Sequence, residues 1–428
     1  MRQSGSYQSN SPQQFKLKAL HWANGFSYAA SFDHNQYPSY SNPSFDCLIG
    51  AGAITTLQCN VGNAFNQLKE YQHQTKDWLF GFLGYDLKNE IEHLVSNLPD
   101  GTGFPDLCFF QPDHLITINM DGSIVIESSS LQPHDIFAQI EAIQLTEQPI
   151  KPIAMQARIA KEHYLQTVET LREHIAAGDL YEINFCQEYF AEGADINPLA
   201  VFEKLNQLSK APFSCYLKFD DKYLLSASPE RFLQKKGDTI TSMPIKGTIK
   251  RDGNPAKDEI LKTELRNNIK EQAENVMIVD LVRNDLTRSC TPGTIKVNEL
   301  FQVYTFPKVH HLVSAVSGVL KPDVNGIDAL RNAFPMGSMT GAPKVKVMQL
   351  TEQYEHSKRG IYSGAAGYFA PNADFDFNVV IRSLAYNQSN QYLSYHVGGA
   401  ITWDSVPEQE YEECLLKAAA IESVLSGK

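Results

Sequence analysis

The sequence has no apolar segment long enough to cross a membrane and no run of basic residues. Its longest apolar stretch, WLFGFLGY at 78–85, is well short of the about 20 residues that a membrane-spanning helix needs. The net charge is −12, from 37 basic and 49 acidic residues. This balance argues against a nucleic-acid or membrane partner, and an anionic ligand would have to be held by local cations or a bound metal.

Cysteine is sparse and shows no pairing pattern. There are 7 cysteines among 428 residues and none has C-x-x-C spacing. A chain of this length does not need disulfides to stabilise its core. We therefore expect a reducing compartment, the cytoplasm.

The composition is that of a globular protein, with 43% hydrophobic residues, 26 glycines and 21 prolines. Residues 1–14 are rich in Ser and Gln and are predicted to be a disordered tail. Residues 15–150 contain short apolar runs broken by Asn, Gly and Pro, which predict an N-terminal β-rich region. The prolines at 146–152 indicate a linker, and a second domain is predicted over residues 154–428.

Residues 154–428 alternate predicted strands with a few long helices. A helix is predicted at 161–177, because apolar residues recur every three or four positions and Gly178 stands at the C-cap. Many strands without strict alternation with helices predict an α+β fold with large, mainly antiparallel β-sheets. Further helices are predicted at 255–286, 342–355 and 407–426, and strands at 180–190, 216–219, 223–227, 239–248, 294–306, 310–320, 363–369, 377–385 and 392–403.

Lys246 stands where a predicted strand runs into a turn at Gly247, sixteen positions after Glu230. A lysine amine can attack an unsaturated carbon, whereas most residues in such a place could only bind. With an ordinary pKa of about 10.4, a neutral amine at pH 7 costs about 4–5 kcal/mol unless burial or nearby cations lower that pKa. Taken alone, Lys246 is more simply a surface lysine at the end of a strand.

Two predicted helices each carry a pair of glutamates one turn apart. These are Glu271 with Glu274, and Glu410 with Glu413, and Lys417 follows the second pair by one turn. A solvated helix face would explain either pair alone. The alternative is a site for Mg²⁺, which takes one or two carboxylates and leaves positions for substrate oxygens.

Other features are ambiguous on the sequence alone. Arg382 lies inside an apolar predicted strand and needs an anionic partner if it points inward. His311 fits a hydrogen-bonded core histidine better than a catalytic one. The segment GSMTGAPK at 337–344 leads into a helix whose free N–H groups could hold a carboxylate. The segment VGGA at 397–400 indicates a β-bulge, or less simply a close backbone approach to a ligand.

Taken together and in this order, motifs in residues 154–426 resemble the chorismate-utilising enzymes. That family includes anthranilate synthase component I, aminodeoxychorismate synthase component I, and the isochorismate and salicylate synthases. The resemblance implies that the sheets pack as a sandwich with helices on the outside. Two N-terminal segments, FDCLIGAG at 45–52 and GFLGYDL at 81–87, look like the aminodeoxychorismate synthase version. The motifs are GDLYEINF (178–185), SPERF (228–232), PIKGT (244–248), ENVMIVDLVRNDL (274–286), HHLVS (310–314), GSMTGAPK (337–344), IRS (381–383) and WDSVPEQEYEECLLKA (403–418).

Lys246 favours the aminodeoxychorismate synthase branch of this family, because anthranilate synthases typically have alanine at this position. The resemblance implies that Lys246 adds to C2 of chorismate as the C4 hydroxyl leaves. Ammonia at C4 then expels the lysine, and Glu230 is the general acid that protonates the departing hydroxyl. The implied substrate-binding residues are Gly247, Thr248, His311, Ser338, Tyr362, Arg382, Gly398 and Lys417.

The resemblance also implies Mg²⁺ as the cofactor, with Glu274 and Glu413 as ligands and Glu271 and Glu410 acting through water. The metal would grip the ring carboxylate of chorismate. Ammonia is expected from a separate glutaminase subunit, because no cysteine of this chain lies in a Gly-x-Cys-x-Gly turn.

Two positions depart from the family pattern. Glu182 stands where amine-adding members usually have glutamine and water-adding members have lysine, and the resemblance gives it no role. Ala400 replaces the third glycine of a common Gly-Gly-Gly, which adds a methyl group where backbone is expected to meet substrate. Two alternatives stay open: an anthranilate synthase component I, and a catalytically silent chorismate-binding subunit.

Overall fold

The computed structural model describes residues 2–37, 44–146 and 148–427. The strands join into a 20-stranded β-sheet network in which neighbours pair antiparallel, as in β-hairpin meanders. Helices pack against the strands, so the predicted α+β class with mainly antiparallel sheets is confirmed. Within these residues, no helix combines the length and the apolar character needed to span a membrane.

The strands are β1 (Gln3–Gln8), β2 (Tyr28–Asp33), β3 (Cys47–Cys59), β4 (Leu79–Leu83), β5 (Leu107–Ile118), β6 (Ser123–Ser128), β7 (Gln156–Ala157), β8 (Glu182–Ala191), β9 (Phe213–Phe219), β10 (Lys222–Ser228), β11 (Arg231–Lys236), β12 (Thr239–Met243), β13 (Ile245–Lys250), β14 (Lys296–Thr305), β15 (Val309–Val319), β16 (Gly341–Ala342), β17 (Ala365–Phe369), β18 (Phe375–Val379), β19 (Ser383–Asn387) and β20 (Tyr392–Ile401). The helices are α1 (Pro12–Ala23), α2 (Ala64–Thr75), α3 (Lys88–Glu92), α4 (Pro133–Ala142), α5 (Lys161–Ala176), α6 (Pro198–Ser209), α7 (Pro255–Asn267), α8 (Ile269–Thr287), α9 (Gly326–Ala333), α10 (Lys344–Tyr354) and α11 (Pro407–Leu425).

The expected disordered tail at 1–14 is wrong for the residues that the structure describes. Gln3–Gln8 pairs in register with Ser123–Ser128, and a helix begins at Pro12 and buries Phe15. An edge strand is held by its backbone hydrogen bonds, so a polar sequence can form one without apolar alternation. Residues 1, 38–43, 147 and 428 of the predicted segments lie outside the described residues.

The sheet network continues across the predicted division of the chain. Strand β2 pairs with β9, and β4 pairs with β17, so strands from before residue 150 hydrogen-bond directly to strands from after it. The division into regions 15–150 and 154–428 therefore stays a prediction.

Several predicted elements are split where a local signal interrupts them. The predicted helix 255–286 is two helices, because Asn268 ends α7 and its side chain caps α8 by accepting a hydrogen bond from the Glu271 N–H at 3.2 Å. The predicted strand 377–385 is β18 and β19. Arg382 lies between them with φ of +53°, so it is not inside a strand as expected. The predicted helix 161–177 is confirmed as α5.

The helices α8 and α11, which carry the glutamate pairs, bury their apolar faces in two different hydrophobic clusters. Helix α8 contributes Val279 and Val282 to a cluster with Val316 of β15. Helix α11 contributes Ala418 and Ile421 to a cluster that it shares with β8 and β20. The polar faces of both helices are therefore free to meet at the strand that carries Lys246.

Candidate active site

A β-bulge aims Lys246 into the site. The pairing of β13 with β15 shifts register between Ile245 and Thr248, so Lys246 and Gly247 together stand opposite Leu312. Gly247 has φ of +96°, and a Cβ there would lie 2.9 Å from Glu271 Oε2. A larger residue would therefore be strained and would collide with the first glutamate of α8.

Lys246 forms a buried ion pair with Glu182, across the gap between β13 and β8. Lys246 Nζ lies 2.6 Å from Glu182 Oε1, and the side chains are 10% and 1% exposed. Burial alone would lower the pKa of Lys246, but the charges of Glu182, Glu274 and Glu413 outweigh burial and raise it. The alternative of a surface lysine is therefore wrong, and the amine is held as an ammonium.

Glu230 is buried in the turn between β10 and β11. It is 4% exposed, and burial raises its pKa to about 7 although the charge of Lys246 opposes the shift. Ser338, which is also buried, lines the same small cavity as Glu230, and its hydroxyl interacts with that carboxyl and also opposes the rise in its pKa. A carboxyl with this pKa can hold and donate a proton near neutral pH.

The pKa is raised at three of the four glutamates of α8 and α11, and the charge of Glu413 on α11 reaches Glu271 on α8. Burial, and then the charge of Glu413, raise the pKa of Glu271. Burial raises the pKa of Glu274 to about 7, with Glu182 and Glu271 adding to the shift. Burial and the charge of Glu413 also raise the pKa of the 5% exposed Glu410. The side chain of Glu413 is nevertheless 50% exposed, so the pairs are only partly removed from solvent.

Lys417 links α11 to strand β20. Its Nζ lies 2.7 Å from Glu413 Oε1 and donates to the carbonyl oxygen of Gly398 at 2.8 Å. The Lys417 charge is the largest cause of a lowered pKa at Glu413. A Cβ on Gly398 would lie 2.5 Å from Cys186 Sγ, and β20 pairs with β8 without a register shift, so the expected bulge is wrong. The backbone of Gly398 instead lies close to strand β8, where a side chain at this position would collide with Cys186.

Arg382 and His311 differ in charge, although they lie near each other in the candidate site. In the described part of the chain no carboxylate forms an ion pair with Arg382, and burial lowers its pKa. His311 accepts or donates at Nδ1 to the Thr248 hydroxyl at 2.8 Å, and burial together with the Arg382 charge lowers its pKa to about 3. His311 is therefore a neutral, hydrogen-bonded histidine, as expected, while Arg382, without an ion-pair partner in the described residues, is suited to an anion.

Tyr362 is the predicted site residue that is least connected to the others. It is 7% exposed, its ring stacks on His396 with centroids 5.0 Å apart, and its hydroxyl lies 3.8 Å from Cys186 Sγ. It lies near enough to Arg382 to influence the pKa of that guanidinium.

A buried ion pair behind β8 was not found from the sequence. Arg359 and Glu355 are bonded at 2.6 Å, and Arg359 also donates to the carbonyl oxygens of Asn184 and Met339. These contacts tie the strand that carries Glu182 to the 337–344 segment. The i, i+4 spacing of the pair was visible, but α10 ends at Tyr354, so helical periodicity did not predict the contact.

The donor set fits an open site for a hard divalent cation better than a closed one. Among residues 2–37, 44–146 and 148–427, no three His, Cys, Asp or Glu side chains are arranged as a complete metal cage. Glu274 and Glu413 come from two helices, and burial and neighbouring carboxylates raise the cost of holding Glu271 and Glu274 charged. Mg²⁺ needs only one or two carboxylates, and a cation between them would relieve this repulsion.

Comparison with known proteins defines the class of protein to which this fold and site belong. Residues 25–423 match the chorismate binding enzyme family, and the chain belongs to that family. Its relatives include aminodeoxychorismate synthase component 1 of Klebsiella aerogenes, 35% identical over 343 residues that cover 80% of this chain and 75% of the relative. The chloroplastic aminodeoxychorismate synthase of Arabidopsis thaliana is 34% identical over 86% of this chain, which spans only 43% of that protein. Anthranilate synthase component I from Streptococcus pneumoniae has the same fold, with a TM-score of 0.77 and 26% identity over 88% of this chain and 91% of that one.

Proposed function

We propose that this chain converts chorismate and ammonia to 4-amino-4-deoxychorismate, as an aminodeoxychorismate synthase component I. The observation that carries the proposal is the buried Lys246 amine, paired with Glu182, whose charge also acts on the buried Glu230 carboxyl with its pKa of about 7. A nucleophile and a proton donor are the two groups that replacing a ring hydroxyl by covalent addition requires. The identity to aminodeoxychorismate synthases from bacteria and plants supports the same reaction.

In the proposed mechanism, the neutral amine of Lys246 attacks C2 of chorismate, and the two ring double bonds shift. The C4–O bond breaks, and the hydroxyl leaves as water with the proton of Glu230. Ammonia then adds at C4, the double bonds shift back, and the C2–N bond to Lys246 breaks. The enolpyruvyl group stays on the ring throughout.

The substrate carboxylates need cations in a protein of net charge −12. Arg382 supplies one, since no protein carboxylate in the described residues neutralises it. Gly247, Thr248, Gly398, Ser338 and Tyr362 would line the rest of the site, and Lys417 holds the Gly398 carbonyl. Mg²⁺ held by Glu274 and Glu413, with Glu271 and Glu410 through water, would supply positive charge for the ring carboxylate when bound.

Ammonia is proposed to come from a separate glutaminase subunit, and the protein is proposed to work in the cytoplasm. All seven cysteines are free, and six of them are buried. The component 1 names of the relatives support a partner component.

Product identification tests the proposed function. Purified protein with chorismate, Mg²⁺ and an ammonium salt is expected to consume chorismate and yield 4-amino-4-deoxychorismate, measured by mass spectrometry. Anthranilate as the main product, seen by its fluorescence, would assign the chain to the other branch of the family. No turnover with free ammonia would instead support a silent chorismate-binding subunit.

Removal of Mg²⁺ is expected to abolish turnover, and binding of Mg²⁺ is expected to release protons near pH 7. Glu274 has a pKa of about 7, so it is partly protonated, and a carboxylate must lose its proton to bind the ion. Calorimetric titration of the protein with Mg²⁺ in buffers of different ionisation enthalpy measures this release without any activity assay.

The matched variants for the Mg²⁺ experiment are Glu413→Gln and Glu412→Gln. These residues are neighbours on α11, but the Glu412 side chain is 65% exposed and pairs with Lys161. Glu413→Gln is expected to weaken Mg²⁺ binding by about tenfold or more, and Glu412→Gln to leave it unchanged. Equal affinities in both variants would contradict the assignment of Glu413.

A further inference from the structure

Glu182 has only one hydrogen-bond partner among the residues that the structure describes, although it is almost fully buried. Its Oε1 accepts from Lys246 Nζ at 2.6 Å, and its Oε2 is buried with no partner in the described part of the chain. A buried carboxylate oxygen without a donor is unfavourable, so this geometry needs a reason.

Other buried carboxylates near β8 are saturated with donors. Glu188 lies on the same strand and face, and it accepts from Arg158 at 3.0 Å, Tyr392 at 2.9 Å and Ser394 at 2.8 Å. A carboxylate held by several donors keeps its negative charge and is a poor proton acceptor. Glu182 has no second donor to compete for a proton that comes from Lys246.

Lys246 has to lose a proton before its lone pair can form a bond, and its surroundings favour the charged form. Burial opposes the charge, yet the nearby carboxylates outweigh burial and raise the pKa of Lys246. Among them, Glu182 is the one within hydrogen-bond distance. The carboxyl groups that influence Lys246, or are influenced by it, are Glu182 of β8, Glu230 of the β10–β11 turn, Glu271 and Glu274 of α8, and Glu413 of α11.

We propose that Glu182 is the positioning residue that takes a proton from the Lys246 amine before the amine attacks, and returns it when the lysine is expelled. This assignment rests on the proposed function. The proton moves from Nζ to Oε1, and the nitrogen lone pair then forms the bond to C2. When the C2–N bond breaks, its electron pair returns to Nζ, which takes the proton back from Glu182. Glu230 recovers its own proton from the ammonium group newly formed at C4.

The pH dependence of Glu182→Gln tests this role. In the wild type the proton moves from Lys246 to Glu182 and stays within the pair. The reactive form, with a neutral Lys246 amine and a protonated Glu182, is therefore a constant fraction of the enzyme over the pH range in which the pair holds one proton. Glutamine cannot take the proton, so the lysine must lose it to solvent, and its reactive fraction rises about tenfold per pH unit below the lysine pKa. The ratio of kcat/KM for chorismate in Glu182→Gln to that in the wild type is expected to rise about tenfold per pH unit from about pH 6 to about pH 9, at saturating free ammonia.

A ratio that stays flat with pH overturns the role of Glu182. Glu188→Gln is the matched control, because it removes a buried carboxylate from the same strand and face, and its ratio to the wild type is expected to be flat. If the glutamine variant does not fold, Glu182→Ala is assayed with added formate as a substitute proton acceptor. A rate that rises with formate supports the role, and a rate that formate does not change overturns it. Wild-type protein that makes no 4-amino-4-deoxychorismate would overturn the proposed function together with this role.

Discussion

Lys246→Met is expected to lower kcat with chorismate and ammonia by about 10³-fold and to abolish the covalent adduct with chorismate. Methionine fills similar space but has no nucleophilic nitrogen, so the addition at C2 cannot occur. Stopped-flow consumption of chorismate measures the first effect. Intact mass of wild-type and variant protein after incubation with chorismate measures the second, with peptide mapping to locate the added mass at Lys246.

The loss of activity in Lys246→Met has to be separated from a loss of stability. Removing the lysine leaves the carboxylate of Glu182 buried without a partner, which is expected to cost about 3–5 kcal/mol of stability. The double variant Lys246→Met, Glu182→Gln removes both charges, so it is expected to unfold at a higher temperature than the single variant and to stay inactive. Lys250→Ala is the matched control, since Lys250 is an exposed lysine of the same strand, β13. A double variant that turns over chorismate at the wild-type rate would contradict the role of Lys246.

The residue types of the site could be predicted from sequence because each carries its own signal. The glutamate pairs were visible as i, i+3 spacing, and in the structure one member of each pair raises the pKa of the other, while Glu413 also raises that of Glu271 on the other helix. Arg382 was visible as a cation in an apolar segment, although it lies in a left-handed turn between two strands. The roles assigned to these residues stay predictions, because they come from the resemblance and not from the geometry.

The contact between Glu182 and Lys246 could not be predicted from the sequence. The two residues are 64 positions apart, on strands β8 and β13 that do not pair with each other. Alternation along β8 predicted that Glu182 and Asn184 share one face of the strand. It did not predict which element packs against that face. The same limit applies to Arg359, whose three kinds of partner come from separate segments.

Local interruptions of the fold were missed for a different reason. Asn268 has the residue type of an N-cap and stands three positions before Glu271, yet one long helix was predicted over 255–286. The polar residues 3–8 gave no strand pattern, since an edge strand is stabilised mainly by its backbone pairing with β6. In both places a local hydrogen-bonding interaction, the Asn268 cap or the pairing of β1 with β6, determined the structure where the composition of the segment did not predict it.

Glu230→Gln is expected to lower kcat by about 10²–10⁴-fold and to remove the decline of activity above neutral pH. The carboxyl must be protonated to donate to the departing hydroxyl, and burial raises its pKa to about 7. Protonated Glu230 therefore predominates below pH 7, and its fraction falls about tenfold per pH unit above it. Wild-type kcat is expected to follow that fall, whereas the residual rate of Glu230→Gln should not, because glutamine does not titrate.

Glu274 is the competing source of such a decline, because its pKa is also about 7. Its contribution can be suppressed with saturating Mg²⁺, since a carboxylate that binds the ion is already deprotonated. The pH profile of kcat is therefore measured at saturating Mg²⁺ for the wild type, Glu230→Gln and Glu274→Gln. A decline that persists in Glu274→Gln and is lost in Glu230→Gln identifies Glu230 as the proton donor. The reverse pattern would assign the titration to the α8 glutamate and remove the basis for Glu230 as the general acid.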